Sequence, residues 1–339
     1  MAATMKDIAR RTGLGLATIS SYFNGGNVRE KNRIKIEEAI EELHYEVNEV
    51  ARGLKTNATR TIGVVIPELD QIFCTQIIIG IEDILRSHGY ATIVCDCRTD
   101  KKREKDAVDF LMRKRVDGII SMPVDETGSH LKSFHKTGKP VVLIDRKIPG
   151  ISSDCVLVDN EKAAERAVDL LFEKGHRNIG LIGGPREIYT AQERLRGYCN
   201  AHKKRSIPVQ ESLVYHGDYT MQGGVRALED LVKRNPHMTA VFVVNYEMTM
   251  GAVIGVNELG IKIPRELSLV GFDNREFARA CSPRLTIVTQ PTQQIARRAA
   301  EIMLERLDAG NGVEERNYIT EKLQTEIELG KSVRDIREI

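Results

Sequence analysis

From Thr61 onward the sequence alternates short β-branched runs with longer stretches of helical periodicity, and few folds accept that rhythm. Ile62 to Ile66 is a strand-like run ended by Pro67, and Ile77 to Leu85 then reads as an apolar helix face. Ala91 to Cys95 reads as a strand, Lys101 to Arg113 as a helix and Gly118 to Met122 as a strand. Lys139-Pro140 leads into a further strand, Val141 to Ile144. Strands alternating with helices at short spacing imply βα units, hence a parallel sheet covered on both faces. The rhythm restarts at Asn178 to Ile182 and continues at Ser212 to Tyr215, Ala240 to Val244 and Ser268 to Gly271. Two similar α/β units are the simplest account, although no close sequence repeat joins them.

The chain has 339 residues, enough for two or three compact units. With 41% hydrophobic residues it can fill ordinary cores. No apolar run approaches the roughly 18 residues that span a bilayer. The opening MAATMKDIARRTG lacks the apolar segment of a signal peptide, so a cytoplasmic location is expected. Six cysteines are scattered without a C-x-x-C pair, which fits reduced thiols and gives no metal site. Cys95 and Cys97 would share one face of a strand. Net charge is +2; residues 1–60 hold ten Lys or Arg against eight Asp or Glu, and the remainder holds forty of each. The N-terminal piece thus carries the whole positive excess, which is compatible with nucleic acid.

Within those sixty residues the period is helical. Thr4 stands three residues before Asp7, a capped helix start, and Met5, Ile8 and Ala9 make one apolar stripe. Gly13-Leu14-Gly15 breaks it. Leu16, Ile19 and Phe23 give a second stripe, and Ile36, Ala39, Ile40 and Leu43 a third. On pattern alone a helix-turn-helix and a generic three-helix capping bundle fit equally.

The particular residues add to this. MKDIARRTGLGLATISSYFNGG and IEELHYEVNEVARGLKTNATRTIGVVIP resemble the DNA-binding headpiece and hinge of the lactose-repressor family of bacterial transcription regulators. That resemblance implies a second helix in the major groove, with Leu16, Ala17 and Ser21 facing base edges and Thr18 and Asn24 near phosphates. It extends the DNA-binding set to Thr4, Arg33, Asn48, Arg52 and Lys55. It also implies a hinge helix over Asn48 to Lys55 whose Leu54 wedges into the minor groove. Some positions depart from the family. Gly15 and Arg29 stand where Ser often caps a helix, Val47 replaces a common Pro, and Gly53 lies inside the hinge. Each missing cap costs on the order of 0.5–2 kcal/mol.

Ligands of open α/β sheets bind beyond the carboxyl ends of strands, and those ends are polar here. Asp145-Arg146 follows VVLI, Asn245 follows AVFVV, Asp273 follows SLVGF and Gln290 follows LTIVT, while Arg194 lies in AQERLRGY. One charged residue after a strand is usually a solvated cap; several at equivalent ends converge on one cleft. KRVDGIISMP, KGHRNIGLIGGP, RLRGY, MTAVFVVNYEM, GIKIPRELSLVGFDN and SPRLTIVTQP resemble, in order, the same family's sensor core. The resemblance covers essentially residues 4–330. It implies an all-α helix-turn-helix headpiece (1–46), a hinge and linker (47–60) and a periplasmic-binding-protein-like core (61–339) of two doubly wound subdomains. Their expected extents are about 61–159 with 291–321 and about 160–290 with 322–339, the chain crossing near 158–161, 289–292 and 319–324. It places Phe73, Asp145, Arg146, Arg194, Tyr219, Asn245, Asp273 and Gln290 in an effector pocket. Carboxylates can accept from vicinal hydroxyls and arginine donates in a planar fork, which suits a monosaccharide or similar polyol. Two departures bear on the ligand. Gln71-Ile72-Phe73-Cys74 lacks one aromatic wall, and Tyr246 has the bulk to fill part of the cleft.

No P-loop, H-E-x-x-H helix or G-x-S-x-G elbow is present, and the eight histidines are dispersed, so no enzyme is expected. The resemblance therefore implies a repressor acting as a homodimer on pseudo-palindromic double-stranded DNA, without cofactor, metal or membrane. A phosphocarrier-regulated or purine-corepressed member is the alternative.

Overall fold

The computed structural model describes residues 3–23, 26–45, 58–309 and 317–337. Its contacts divide it into two units, Met1–Thr59 and Arg60–Ile339. In the first, α1 (Met5–Thr12), α2 (Leu16–Phe23) and α3 (Glu30–Glu42) pack around Ile8, Ile19, Ile36 and Ala39, with Val28 and Tyr45 closing the core. The Asp7 carboxylate accepts from the Thr4 N–H (3.0 Å) and the Thr4 hydroxyl (2.7 Å), which holds its pKa below the ordinary range. Gly13 ends α1 in the left-handed region at φ 68°, the turn that a Cβ would strain. Arg29 supplies no side-chain cap to α3, as its side chain dictates.

The second unit contains two six-stranded sheets. The first is built from β1 (Thr61–Ile66), β2 (Ala91–Asp96), β3 (Gly118–Ser121), β4 (Val141–Ile144), β5 (Asp154–Val158) and β11 (Thr320–Leu323), in the order β11-β5-β4-β3-β1-β2, all parallel. The second is built from β6 (Ile179–Gly183), β7 (Val214–His216), β8 (Ala240–Val243), β9 (Ser268–Phe272), β10 (Thr286–Thr289) and β12 (Glu326–Glu328), in the order β12-β10-β9-β8-β6-β7, with β12 antiparallel. Both sheets are buried on two faces, so their central strands are apolar without alternation. Val64, Ile120, Val142 and Val156 pack under α4 (Ile72–Ser87) and α12 (Thr292–Asp308), while Val65, Ile119, Leu143 and Leu157 face the opposite layer with α5 (Lys101–Arg113). Cys95 and Cys97 do point to that same second layer. The short helix α6 (Lys132–His135) completes this half.

The chain passes between the sheets three times, from Val158 into α7 (Asn160–Glu173), from Thr289 into α12 and from Leu323 to Glu326. Asp154 ties the end of α12 and the entry to β11 together. Its carboxylate accepts from Arg306 Nε (2.9 Å) and Nη2 (2.7 Å) and from the Ile319 N–H (2.9 Å). The second sheet is flanked by α7, α8 (Tyr189–Lys204), α9 (Met221–Arg234), α10 (Tyr246–Glu258) and α11 (Arg275–Ala280). Three strands, β5, β11 and β12, are absent from the periodicity reading. β11 and β12 are short and carry charges that mask the alternation. Ser212 lies in a 3₁₀ turn, Glu211–Leu213, so β7 starts later than its sequence suggests. Among the described residues no helix is long and apolar enough to cross a membrane.

Helices α7 and α8 approach closely because position 197 is glycine. A Cβ there would lie 2.1 Å from the Glu161 carbonyl oxygen and 2.8 Å from the Ala164 Cβ. Gly197→Ala is therefore expected to destabilise the core by about 1–3 kcal/mol through overpacking against backbone. Urea unfolding checks this: the midpoint should fall with little change in slope, and an unchanged midpoint would mean that the helices separate without cost.

Candidate functional site

In the headpiece unit, α2 turns Ile19 inward and leaves another face outward. Leu16 is 46% exposed, Ala17 is exposed, and Thr18 and Ser21 are partly exposed. Ala17 and Ser21 are four apart and so share a face. Arg33 is exposed on α3, and Thr4 is exposed with its hydroxyl engaged by Asp7. Asn24, Asn48, Arg52, Leu54 and Lys55, with the hinge helix, lie outside the described residues.

In the core, strand order dictates where a ligand can sit. In the first sheet the chain runs from β1 to β2 on one side and then returns past β1 to β3 on the other; β6, β7 and β8 repeat the pattern in the second. A crevice opens at the carboxyl ends where such connections diverge. The segments after β1, β3, β6 and β8 carry Asp70, Glu126, Arg194 and Glu247 respectively.

Arg194 organises the site. It is 4% exposed. Its Nε donates to Asn160 Oδ1 (2.8 Å), Nη1 donates to the Val244 carbonyl, and its guanidinium carbon lies 3.9 Å from the centroid of the Phe272 ring. Asp145 and Asp273 both follow strands in the left-handed region, at φ 66° and 61°. That conformation turns the chain sharply and is tolerated by Asp better than by most side chains. Arg146 Nη1 donates to the Pro123 carbonyl (3.1 Å). Its Nε contacts Asp145 at 3.4 Å in an ion pair, with no hydrogen bond. Gln290 Nε2 donates to Asp273 Oδ2 (2.9 Å), while Gln290 Oε1 is buried without a partner. Tyr219 shares a 3.4 Å hydrogen bond with Thr190, and the charges of Arg194, Arg146 and Asp145 all act on its phenol.

Six predicted residues, Asp145, Arg146, Arg194, Tyr219, Asp273 and Gln290, thus meet. Asn245 stands at the head of α10. Its Oδ1 caps α10 at Met248 N (3.1 Å) and its Nδ2 donates to Glu247 (2.6 Å). Phe73 packs its ring partly onto the first sheet's core, and Cys74 is buried against Met122. Burial and Asp145 push the Cys74 thiol up to about 12, so it is no nucleophile. Tyr246 packs edge-on against Phe277, with centroids 5.6 Å apart.

The sequence reading missed Asn160, Glu247 and Glu126. Asn160 is fully buried at a crossing and its role depends on a partner 34 positions away. Glu126 Oε1 accepts from the Tyr189 N–H (2.8 Å), linking a loop of the first sheet to the start of α8. Its loop is braced by Glu104, which accepts from the Val124 and Asp125 N–H groups (2.9 and 2.7 Å). Burial pushes the Glu247 carboxyl up to about 7, with Asp273 and Asp70 adding to the rise and Arg194 opposing it. Burial likewise lifts Asp273 to about 6, against the pull of Arg194 and Gln290 and with a further push from Asp145.

The pattern of known families agrees with this geometry. Residues 4–48 match the model of bacterial regulatory proteins of the lacI family, and residues 59–327 match that of periplasmic binding proteins and the sugar-binding domain of the LacI family. The chain belongs to the LacI family of bacterial regulators. It is 34% identical over 310 residues to catabolite control protein A of Priestia megaterium, covering 91% of this chain and 93% of that protein. The lac repressor dimer bound to operator and the anti-inducer ONPF superposes with TM-score 0.86 at 25% identity, covering 98% of this chain and 100% of that one. A complex of the transcriptional regulator CelR with cellobiose gives TM-score 0.73 at 27% identity, covering 97% and 99%. As a member, the chain is a DNA-binding transcription regulator with an effector-binding core, and it is not an enzyme.

The two raised carboxyl pKa values make a pH prediction. Asp273 and Glu247 hold protons more tightly folded than unfolded. Their contribution to stability is complete below the ordinary carboxylate range near about pH 4 and is lost as pH rises through their folded values. The melting temperature of the wild type relative to Asp273→Asn/Glu247→Gln should therefore decline between about pH 4 and 7. Calorimetry of the two proteins decides it, since parallel curves would show that neither carboxyl is perturbed.

Proposed function

We propose that the cleft binds a neutral monosaccharide or similar polyol, and that this ligand modulates affinity for operator DNA. One observation carries the reading. The cleft wall presents a buried acceptor, Gln290 Oε1, and a buried donor, Arg146 Nε, neither of them hydrogen-bonded. A hydroxyl both donates and accepts, so a ring carrying several can satisfy both kinds of group at once. Asp145 and Asp273 supply further acceptors and Arg194 is held in place to donate. A purine corepressor would call for stacking surfaces, and the Phe272 face is already covered by Arg194. The solved cellobiose complex of a relative, although its ligand is a disaccharide, supports a neutral sugar as the kind of ligand.

On the DNA side, Leu16, Ala17 and Ser21 face base edges, Thr18 and Asn24 lie near phosphates, and Thr4, Arg33, Asn48, Arg52 and Lys55 add backbone contacts. Leu54 wedges into the minor groove of a bent operator. The protein works as a homodimer on a pseudo-palindrome, whose symmetry mirrors its own. A cytoplasmic location follows from where that DNA lies.

A saccharide screen by thermal shift, followed by operator-binding anisotropy, tests the reading. One or more sugars should stabilise the core and change operator affinity. Asp273→Asn should weaken that sugar by about 1–3 kcal/mol, roughly five- to 150-fold, because it strands ligand hydroxyls and alters the Gln290 bond. If only nucleobases or nucleotides stabilise the protein, the polyol assignment is wrong.

A further inference from the structure

Beside the cleft, on the neighbouring face of α8, lies a second cavity of about 450 Å³. The two share a wall. Gly184 lines this cavity, and a Cβ there would strike the Tyr219 ring at 2.3 Å, so Tyr219 closes the other side of the same segment. In α8, Thr190 and Arg194 serve the cleft, whereas Ala191 and Leu195 line the cavity.

We propose that this cavity is a second small-molecule site, and that it takes a phosphomonoester. Its volume lies within the usual range of ligand pockets, roughly 300–1,000 Å³. Arg186 and His216 both line it, and among the described residues the Arg186 guanidinium has no ion-pair or hydrogen-bond partner. Burial, with the Arg186 charge adding to it, holds the His216 imidazole below its ordinary pKa, so it stands beside the guanidinium as a neutral ring able to donate one N–H. Gln192 Nε2 donates to the Arg186 carbonyl (2.9 Å) and so fixes the loop that carries the guanidinium. A phosphate group carries close to two charges and three strong acceptor oxygens, so it can engage arginine in a planar fork and the imidazole as well. The remaining walls suit the rest of such a molecule. Leu195 and Val214 offer apolar surface, and Glu211 can accept from a hydroxyl.

Calorimetric titration of the full chain with ribose 5-phosphate, ribose and inorganic phosphate tests this. Ribose 5-phosphate should bind saturably, and Asp273→Asn, which alters the cleft, should leave that binding within about twofold. Arg186→Ala should weaken it about tenfold, and Gln192→Trp, which fills the cavity from an exposed position, at least as much. Both positions are exposed, and unchanged melting temperatures would confirm folding. Binding of ribose alone should not respond to these two substitutions. Saturable binding of inorganic phosphate that both substitutions remove would also support the site and identify the free ion as sufficient. The proposal is overturned if neither phosphate compound binds saturably up to about 10 mM, a free energy below about 3 kcal/mol. It is equally overturned if binding survives both cavity substitutions or is lost in Asp273→Asn alone.

Discussion

A guanidinium offers five N–H donors and no acceptor, so burying one obliges several parts of a chain to bring acceptors to it. Arg194 imposes that requirement here. It draws Asn160 from the first passage between the sheets, the Val244 carbonyl from the end of β8 and the Phe272 face from the end of β9. Each of these positions is a strand end or a crossing. The same contact therefore fixes the geometry of the cleft and the angle at which the chain enters the second sheet. Replacing one partner would leave a buried donor or acceptor unmet, which is more costly than the bond is worth when made.

Around that fixed cation the cleft is acidic. Asp70, Asp145, Glu247 and Asp273 act on one another across the two halves, with Arg146 and Arg194 as the opposing charges. Part of the guanidinium capacity is already spent on carbonyl and amide oxygens. Burial, with the surplus carboxylate charge adding to it, lifts Asp273 and Glu247 toward neutrality, and acceptors remain free for hydroxyl donors. Glu126 spans the halves at a different point, meeting the N–H of Tyr189 at the head of the helix that carries Arg194. The two halves thus meet at the helix that carries the site's central cation.

The fold was legible because alternation and strand-end chemistry are local. Lys101–Arg113 and Val141–Ile144 have the bounds that their periodicity predicts. Asp145, Asp273 and Gln290 announce themselves by following strands. The residues that stayed hidden are those whose meaning lies in distant partners. Asn160 looks like one more polar residue beside Asp159, and Glu247 like a solvated helix start; only the approach of Arg194 and Asp273 gives them roles. Tyr246 shows the converse. Its size is plain in the sequence, but its packing partner, Phe277, lies thirty-one positions later. Strands β11 and β12 were masked for a related reason, since TEKL and EIE carry charges at edges where one side faces water.

A regulator of this construction must let ligand and DNA sense each other. Coupling between two equilibrium binding sites is reciprocal, so whatever effector does to operator affinity, operator does equally to effector affinity. Calorimetric titration of the effector sugar into free protein and into protein saturated with operator measures this directly. The account predicts affinities that differ by about fivefold or more, equivalent to at least about 1 kcal/mol of coupling. Superimposable titrations would contradict it, because a cleft that binds equally well in both states cannot regulate the DNA.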